Sequence, residues 1–133
     1  MIMNPKLKSI DHIHIFVDDR QEALKWYKTV LGFKPVKNLL FWAKNGPLTI
    51  GNEDGSVHIA LFKGLSKDNR SVIALNTGGK EFIKWHKKIK SVVDGRIKVV
   101  DHSVSFSIYF KDPYGNPFEI TSYDYEIIEN HYK

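Results

Sequence analysis

An internal repeat constrains this chain more than any other feature. Shifting the sequence by 59 residues lays Glu22, Lys25, Trp26 and Lys28 over Glu81, Lys84, Trp85 and Lys87. Apolar residues coincide as well: Phe16 with Leu75, Ala23 with Phe82, Leu24 with Ile83. Each copy opens on an apolar run of strand character and passes into an amphipathic helix. The chain therefore reads as two copies of one strand–helix–strands module, and equivalent positions of the two copies can converge on one site.

Along the first copy, Ile10 to Val17 reads as a strand with His12, His14 and Phe16 on one face and Ile13, Ile15 and Val17 on the other. Asp19 and Glu22 have the spacing of a capping box, and the helix they open runs to about Leu31, where Gly32 supplies a left-handed stop. Short strands are expected at Phe33 to Lys37, Leu39 to Ala43 and Leu48 to Ile50, with a closing strand at Val57 to Phe62. The second copy repeats the order: strand Ser71 to Asn76, helix Gly79 to about Val92, then strands at Arg96 to Val100, Ser105 to Lys111 and Asn116 to Tyr123. Asp112-Pro113-Tyr114-Gly115 is a turn. The expected organisation is a single domain, 1–133, made of a module at 9–63 and a module at 71–123. A linker at 64–70 joins them, and the tail at 124–133 is a short helix or a docking strap. One helix for every three or four strands gives an α+β fold of two βαβββ modules. Their mixed sheets are each covered by a helix on one face and curl around a cavity on the other.

Charge and composition narrow the function classes. The net charge is +5, but Lys80, Lys84, Lys87, Lys88 and Lys90 cluster around the second helix, mostly opposite its apolar face, as a solvated surface rather than a groove reader. No nucleic-acid partner is expected. Cysteine is absent, which excludes disulfides and thiolate metal sites. No stretch is apolar for long enough to span a bilayer, and residues 1–6 lack a signal-like apolar core. A soluble cytoplasmic protein without a membrane partner is the expectation.

Two motifs carry a resemblance. The run I-D-H-I-H-I-F-V-D-D-R-Q-E-A-L-K-W-Y-K-T-V-L-G-F, residues 10 to 33, and the run Y-F-K-D-P-Y-G-N-P-F-E-I, residues 109 to 120, resemble the opening and closing segments of the vicinal oxygen chelate superfamily. That superfamily includes glyoxalase I, fosfomycin- and bleomycin-resistance proteins and extradiol dioxygenases. The resemblance implies paired βαβββ modules, usually as a homodimer, and one divalent metal (Zn, Mn, Ni, Fe or Co) held from the first and last strands of each module. Open coordination positions on such a metal accept two adjacent substrate oxygens.

The resemblance implies His12 and Glu119 as metal ligands. By the 59-residue shift their counterparts are Ser71 and Ala60, neither a strong ligand. His58 shares a sheet face with Ala60 and His14 with His12, but each lies roughly 6–7 Å along its strand from the expected ligand position, at about 3.3 Å per residue. His58 is the third metal-ligand candidate. Glu119 is also the candidate catalytic base on a carbon acid beside a carbonyl. His14, Phe16, Trp42, Phe62, Ser71, Phe106 and Tyr109 are candidates to line a substrate pocket, and His86 and His102 read as surface or edge residues. Two functions follow. One is a small-molecule-binding protein with a degenerate metal site, metal-free or nearly so, that binds or sequesters a small aromatic or electrophilic compound. The other is a divalent-metal-dependent lyase or thiol transferase of glyoxalase I or fosfomycin-resistance type. The chain is short for a typical extradiol dioxygenase.

Overall fold

The computed structural model describes residues 4–65 and 68–133. The expected linker at 64–70 therefore includes two positions, 66 and 67, that lie outside the described residues. The element order is β1 (Ile13–Val17), α1 (Arg20–Leu31), β2 (Lys34–Pro35), a 3-10 helix (Lys37–Lys44), β3 (Leu48–Gly51), β4 (His58–Lys63), β5 (Ile73–Asn76), α2 (Gly79–Val92), β6 (Val100–Asp101), β7 (Phe106–Lys111), β8 (Pro117–Ser122) and α3 (Tyr125–Tyr132). Two open four-stranded sheets result, ordered β1-β4-β3-β2 and β5-β8-β7-β6. In each the first strand pairs parallel to the last, and the other pairings are antiparallel. The fold is α+β, and the repeat read in the sequence is a repeat of topology.

Local chemistry sets the helix ends. The Asp19 carboxylate accepts from the backbone N–H groups of Gln21 (2.9 Å) and Glu22 (3.1 Å), and Gly32 closes α1 at φ 74°. α2 has no side-chain cap of its own. Its Gly79 N–H donates instead to the Asp124 carboxylate (2.7 Å), just before α3. A Cβ on Gly79 would stand 2.8 Å from Asp124 Cβ, so glycine lets α3 dock there. The tail is thus a helix, one of the two forms expected of it.

The segment read as a strand at Leu39 to Ala43 is instead part of the 3-10 helix. Its sequence, Lys37-Asn38-Leu39-Leu40-Phe41-Trp42-Ala43-Lys44, has no polar–apolar alternation to seat on a sheet, and none of its residues is buried.

The core lies on the helix-covered sides of the sheets. Ile15, Val17, Ile59 and Leu61 of the first sheet and Ile108, Phe110, Phe118 and Ile120 of the second belong to one cluster with α1 and α2. Tyr27 of α1 is fully buried, with its ring edge-on to Phe118 (5.9 Å) and its hydroxyl donating to Asp112 Oδ2 (2.8 Å). Burial, reinforced by the Asp112 charge, pushes the Tyr27 phenol far above its ordinary range, so it stays a donor at any working pH.

His86 is not the surface residue that the sequence suggested. It is 8% exposed, its Nε2–H donates to the Ile97 carbonyl (3.2 Å), and its Nδ1 accepts from the Tyr132 hydroxyl (2.7 Å). It ties α3 to α2. Its pKa lies below the ordinary histidine value, first because of burial and then because of Lys90 and His131, against the opposing Ile97 bond.

Two predictions follow from these buried polar pairs. Tyr27→Phe keeps the ring and strands one acceptor lone pair of Asp112, so urea unfolding should show a loss of about 2 kcal/mol. For His86 the folded chain binds fewer protons than the unfolded chain just below the ordinary value. Its contribution is therefore complete above about pH 6.5 and declines as pH falls through that window. The melting temperature should drop between pH 7 and pH 5, and His86→Gln should flatten part of that slope.

Candidate ligand and metal site

The faces of the two sheets turned away from the helices carry most of the candidate site residues. On the first sheet the registers put His14 beside Ala60, Phe16 beside Phe62, Ala60 beside Thr49 and His58 beside Gly51. His12 immediately precedes β1 on the His14 face. The 3-10 helix walls one end of this face. Asp11, His12, Trp42, Thr49, His58 and Ala60 line a hollow of about 220 Å³ there.

The strand spacing suggested that His12 and His14 stand too far apart to act together, but their rings lean toward each other. The two Nε2 atoms are 3.0 Å apart, and the ring centroids 5.0 Å. Asp11 Oδ2 lies 2.8 Å from His12 Nδ1, so a proton on Nδ1 leaves the His12 Nε2 lone pair facing His14. Phe62 backs the His14 ring at 4.6 Å.

The second sheet presents a different set. Glu119 lies between Ala74 and Tyr109 in register, and Ser107 lies beside Thr121. The Ser107 hydroxyl donates to Glu119 Oε2 (2.6 Å), a charge-assisted bond that fixes the carboxylate. Tyr109 OH is 3.0 Å from His102 Nε2, and its phenol is pushed up by burial first and by the Glu119 charge second. No hydrogen bond or ion pair among the described residues joins His12, His14 or His58 to Glu119.

The registers also correct the matching of the two copies. Ile13 pairs with Ile59 and Ile73 with Phe118. The first strands are thus offset by 60 residues and the last strands by 59. The connection from β5 to α2 is one residue shorter than that from β1 to α1, which an ungapped shift cannot register. The counterpart of His12 is therefore Val72, not Ser71; Ala60 remains the counterpart of Glu119.

The pocket candidates distribute over three places. His12, His58 and Trp42 line the first hollow. His14, Phe16 and Ser71 line a separate cleft of about 420 Å³ at the seam between edge strands β1 and β5, closed at one side by Asn116. Tyr109 stands on the open face of the second sheet beside Glu119. Phe106 is a correction: it faces the helices, is 6% exposed and stacks on Tyr125 at 4.6 Å, because even-numbered residues of β7 point into the core. Sequence reasoning missed Asp11, adjacent to His12 and nominally on the other strand face, and His102, which reaches Tyr109 across the β6–β7 hairpin. The Asp-His dipeptide at the start of the strand was the available signal for Asp11.

These donors can be tested against a divalent metal. Two nitrogens about 2.1 Å from one ion stand about 3.0 Å apart at adjacent octahedral positions. The His12–His14 separation of 3.0 Å meets that spacing. Yet no group of three or more His, Asp or Glu side chains among the described residues is placed to hold a metal ion.

Comparison with known proteins agrees with this architecture. Residues 9–120 match the Glyoxalase/Bleomycin resistance protein/Dioxygenase superfamily. Among solved structures, the chain is similar to an integron cassette protein from the mobile metagenome of the Halifax Harbour sewage outfall, at 19% identity and TM-score 0.70, covering 87% of this chain and 99% of that one. A point mutant of the fosfomycin resistance protein FosX from Listeria monocytogenes, solved with Mn(II) and 1S,2S-dihydroxypropylphosphonic acid, gives 17% identity and TM-score 0.68, covering 96% and 100%. Lactoylglutathione lyase from Agrobacterium tumefaciens gives 16% identity and TM-score 0.69, covering 91% and 98%. No helix among the described residues is long and apolar enough to cross a membrane. The paired sheets, the open faces and the matched segment agree, and the chain belongs to the glyoxalase/bleomycin resistance protein/dioxygenase superfamily.

Proposed function

We propose that this chain is a small-molecule-binding member of its superfamily whose ligand occupies the hollow over the first sheet, without a complete metal centre. One observation carries the reading: Val72 and Ala60 stand at the two positions where the pattern would repeat His12 and Glu119. At about 220 Å³ the hollow is below the usual range for drug-sized ligands, about 300–1,000 Å³, which favours a compact guest. The Trp42 indole, Leu39 and Pro47 supply apolar walls, while His12 and His58 supply hydrogen bonds. A small aromatic or electrophilic compound fits that lining. In this reading the working unit is a cytoplasmic homodimer, in which a second copy covers faces that leave Phe16, Trp42 and Tyr109 more than 40% exposed.

A second reading is a metal-dependent lyase or thiol transferase of the glyoxalase I or FosX kind. It is favoured by the 3.0 Å His12–His14 pair, with Asp11 as the outer carboxylate that orients His12. A bound metal would polarise vicinal substrate oxygens. His12 and His14 would hold it together with Glu119, which Ser107 fixes and which a second copy of the chain would present.

Elemental mass spectrometry of the purified protein, alone and as Glu119→Ala, separates the two readings. The binding reading expects both proteins to be equally metal-poor after incubation with Zn²⁺, Mn²⁺ or Ni²⁺. About one metal per chain, lost in the variant, would overturn it in favour of the second. A panel of small aromatic aldehydes followed by Trp42 fluorescence should then yield a saturable ligand whose affinity falls about tenfold in His12→Ala, the loss of one hydrogen bond.

A further inference from the structure

The 3-10 helix faces a second hollow on its other side, and that hollow is larger. About 520 Å³ in volume, it opens between the end of α1, β2 and the 3-10 helix. Phe33, Pro35 and Leu40 form its floor, and Lys28, Lys34 and Lys37 stand at its rim. No acidic side chain is among its lining residues; Glu53 lines the neighbouring hollow beyond Lys34 and Pro35. Lys28 also complements the carbonyl end of α1, a role that helix electrostatics alone explains. Lys34 and Lys37 lie beyond the helix and have no such role. Apolar floor and cationic rim together are complementary to a molecule with an apolar body and one negative headgroup.

The shared wall gives this hollow a consequence. The 3-10 helix sends Leu39 and Trp42 into the hollow beside His12, and Lys37 and Leu40 into this one. It runs for eight residues, buries none of them and carries no side-chain cap. Runs of this geometry longer than about four residues are uncommon, because their hydrogen bonds are poorly aligned. Its neighbouring residues Leu40, Phe41 and Trp42 are 44%, 70% and 46% exposed, and it is held chiefly at its far end, where Ala43 packs on the core and Arg20 donates to the Ala43 carbonyl (3.0 Å).

We propose that the lysine-rimmed hollow is a second binding site, for a free small organic anion with an alkyl or aryl body, and that its occupancy shifts the 3-10 helix and so Trp42 in the hollow beside His12. This goes beyond the proposed function and does not depend on which ligand, or whether a metal, occupies the first site.

Decanoate is the probe. Isothermal titration should show saturable binding to the purified chain, weakened about tenfold in the Lys34→Gln/Lys37→Gln double variant by the loss of two exposed charge pairings. Both lysines are at the surface, so the variant should melt as the parent does. Decanoate should also change the tryptophan emission, and Trp42→Phe should abolish that change. No binding, or equal binding by the double variant, overturns the site. An emission change that survives Trp42→Phe overturns the coupling. Co-sedimentation of the chain with phosphatidylglycerol vesicles, without binding of free decanoate, overturns the free anion in favour of a bilayer surface.

Discussion

The hydrogen bond from Tyr27 to Asp112 joins residues 85 positions apart, and the site depends on it. Asp112 Oδ1 accepts from the backbone N–H groups of Tyr114 and Asn116, while Oδ2 accepts from the Asn116 side-chain amide and the Tyr27 hydroxyl. A carboxylate with both oxygens occupied tolerates its 4% exposure. The same turn reaches further. Asn116 donates to the Phe16 carbonyl (3.2 Å) and receives a bond from Asn69 (2.9 Å). The hairpin that carries Glu119 is thereby tied to the strand that carries His14, while the two open faces remain separate.

That separation has a thermodynamic origin. Each helix covers one side of its sheet, and the core gathers there. The opposite faces are then left to polar and aromatic groups, since a buried carboxylate or imidazole without a partner costs several kcal/mol or shifts its protonation. Glu119 is stabilised by Ser107, and Tyr109 by His102. His12 is stabilised by Asp11 and His14. Among the described residues, these three networks satisfy their members without any contact across the sheets.

Much of the fold was legible because repeat, periodicity and end signals agree. Asp19, Gly32 and the Asp112–Gly115 turn all act where the sequence places them. The 3-10 segment was not legible: Leu39 to Ala43 is apolar enough for a strand, and only its missing alternation argues otherwise. The site was legible in its residue types and not in its distances. Strand spacing fixes backbones at about 3.3 Å per residue, but the lean of two imidazoles closed that gap to 3.0 Å. A one-residue difference in a loop moved the counterpart of His12 from Ser71 to Val72, which no ungapped comparison registers. Phe106 was misplaced although strand alternation sets it opposite Tyr109, three residues further along β7, and so into the core against Tyr125.

The 3-10 helix is where these constraints meet. The second copy has no such element in the equivalent connection, between β6 and β7, where residues 102–105 join the two strands directly. The duplication therefore supplied two similar sheets, and this segment made them unequal by walling only the first. A wall of exposed Leu40, Phe41 and Trp42 costs apolar surface in water that an ordinary strand would have buried. Such surface persists where a ligand or a partner covers it part of the time. On the proposed reading the first sheet, with its histidines behind that wall, is the face that the ligand occupies, and the Glu119 face is the one that would be presented to it.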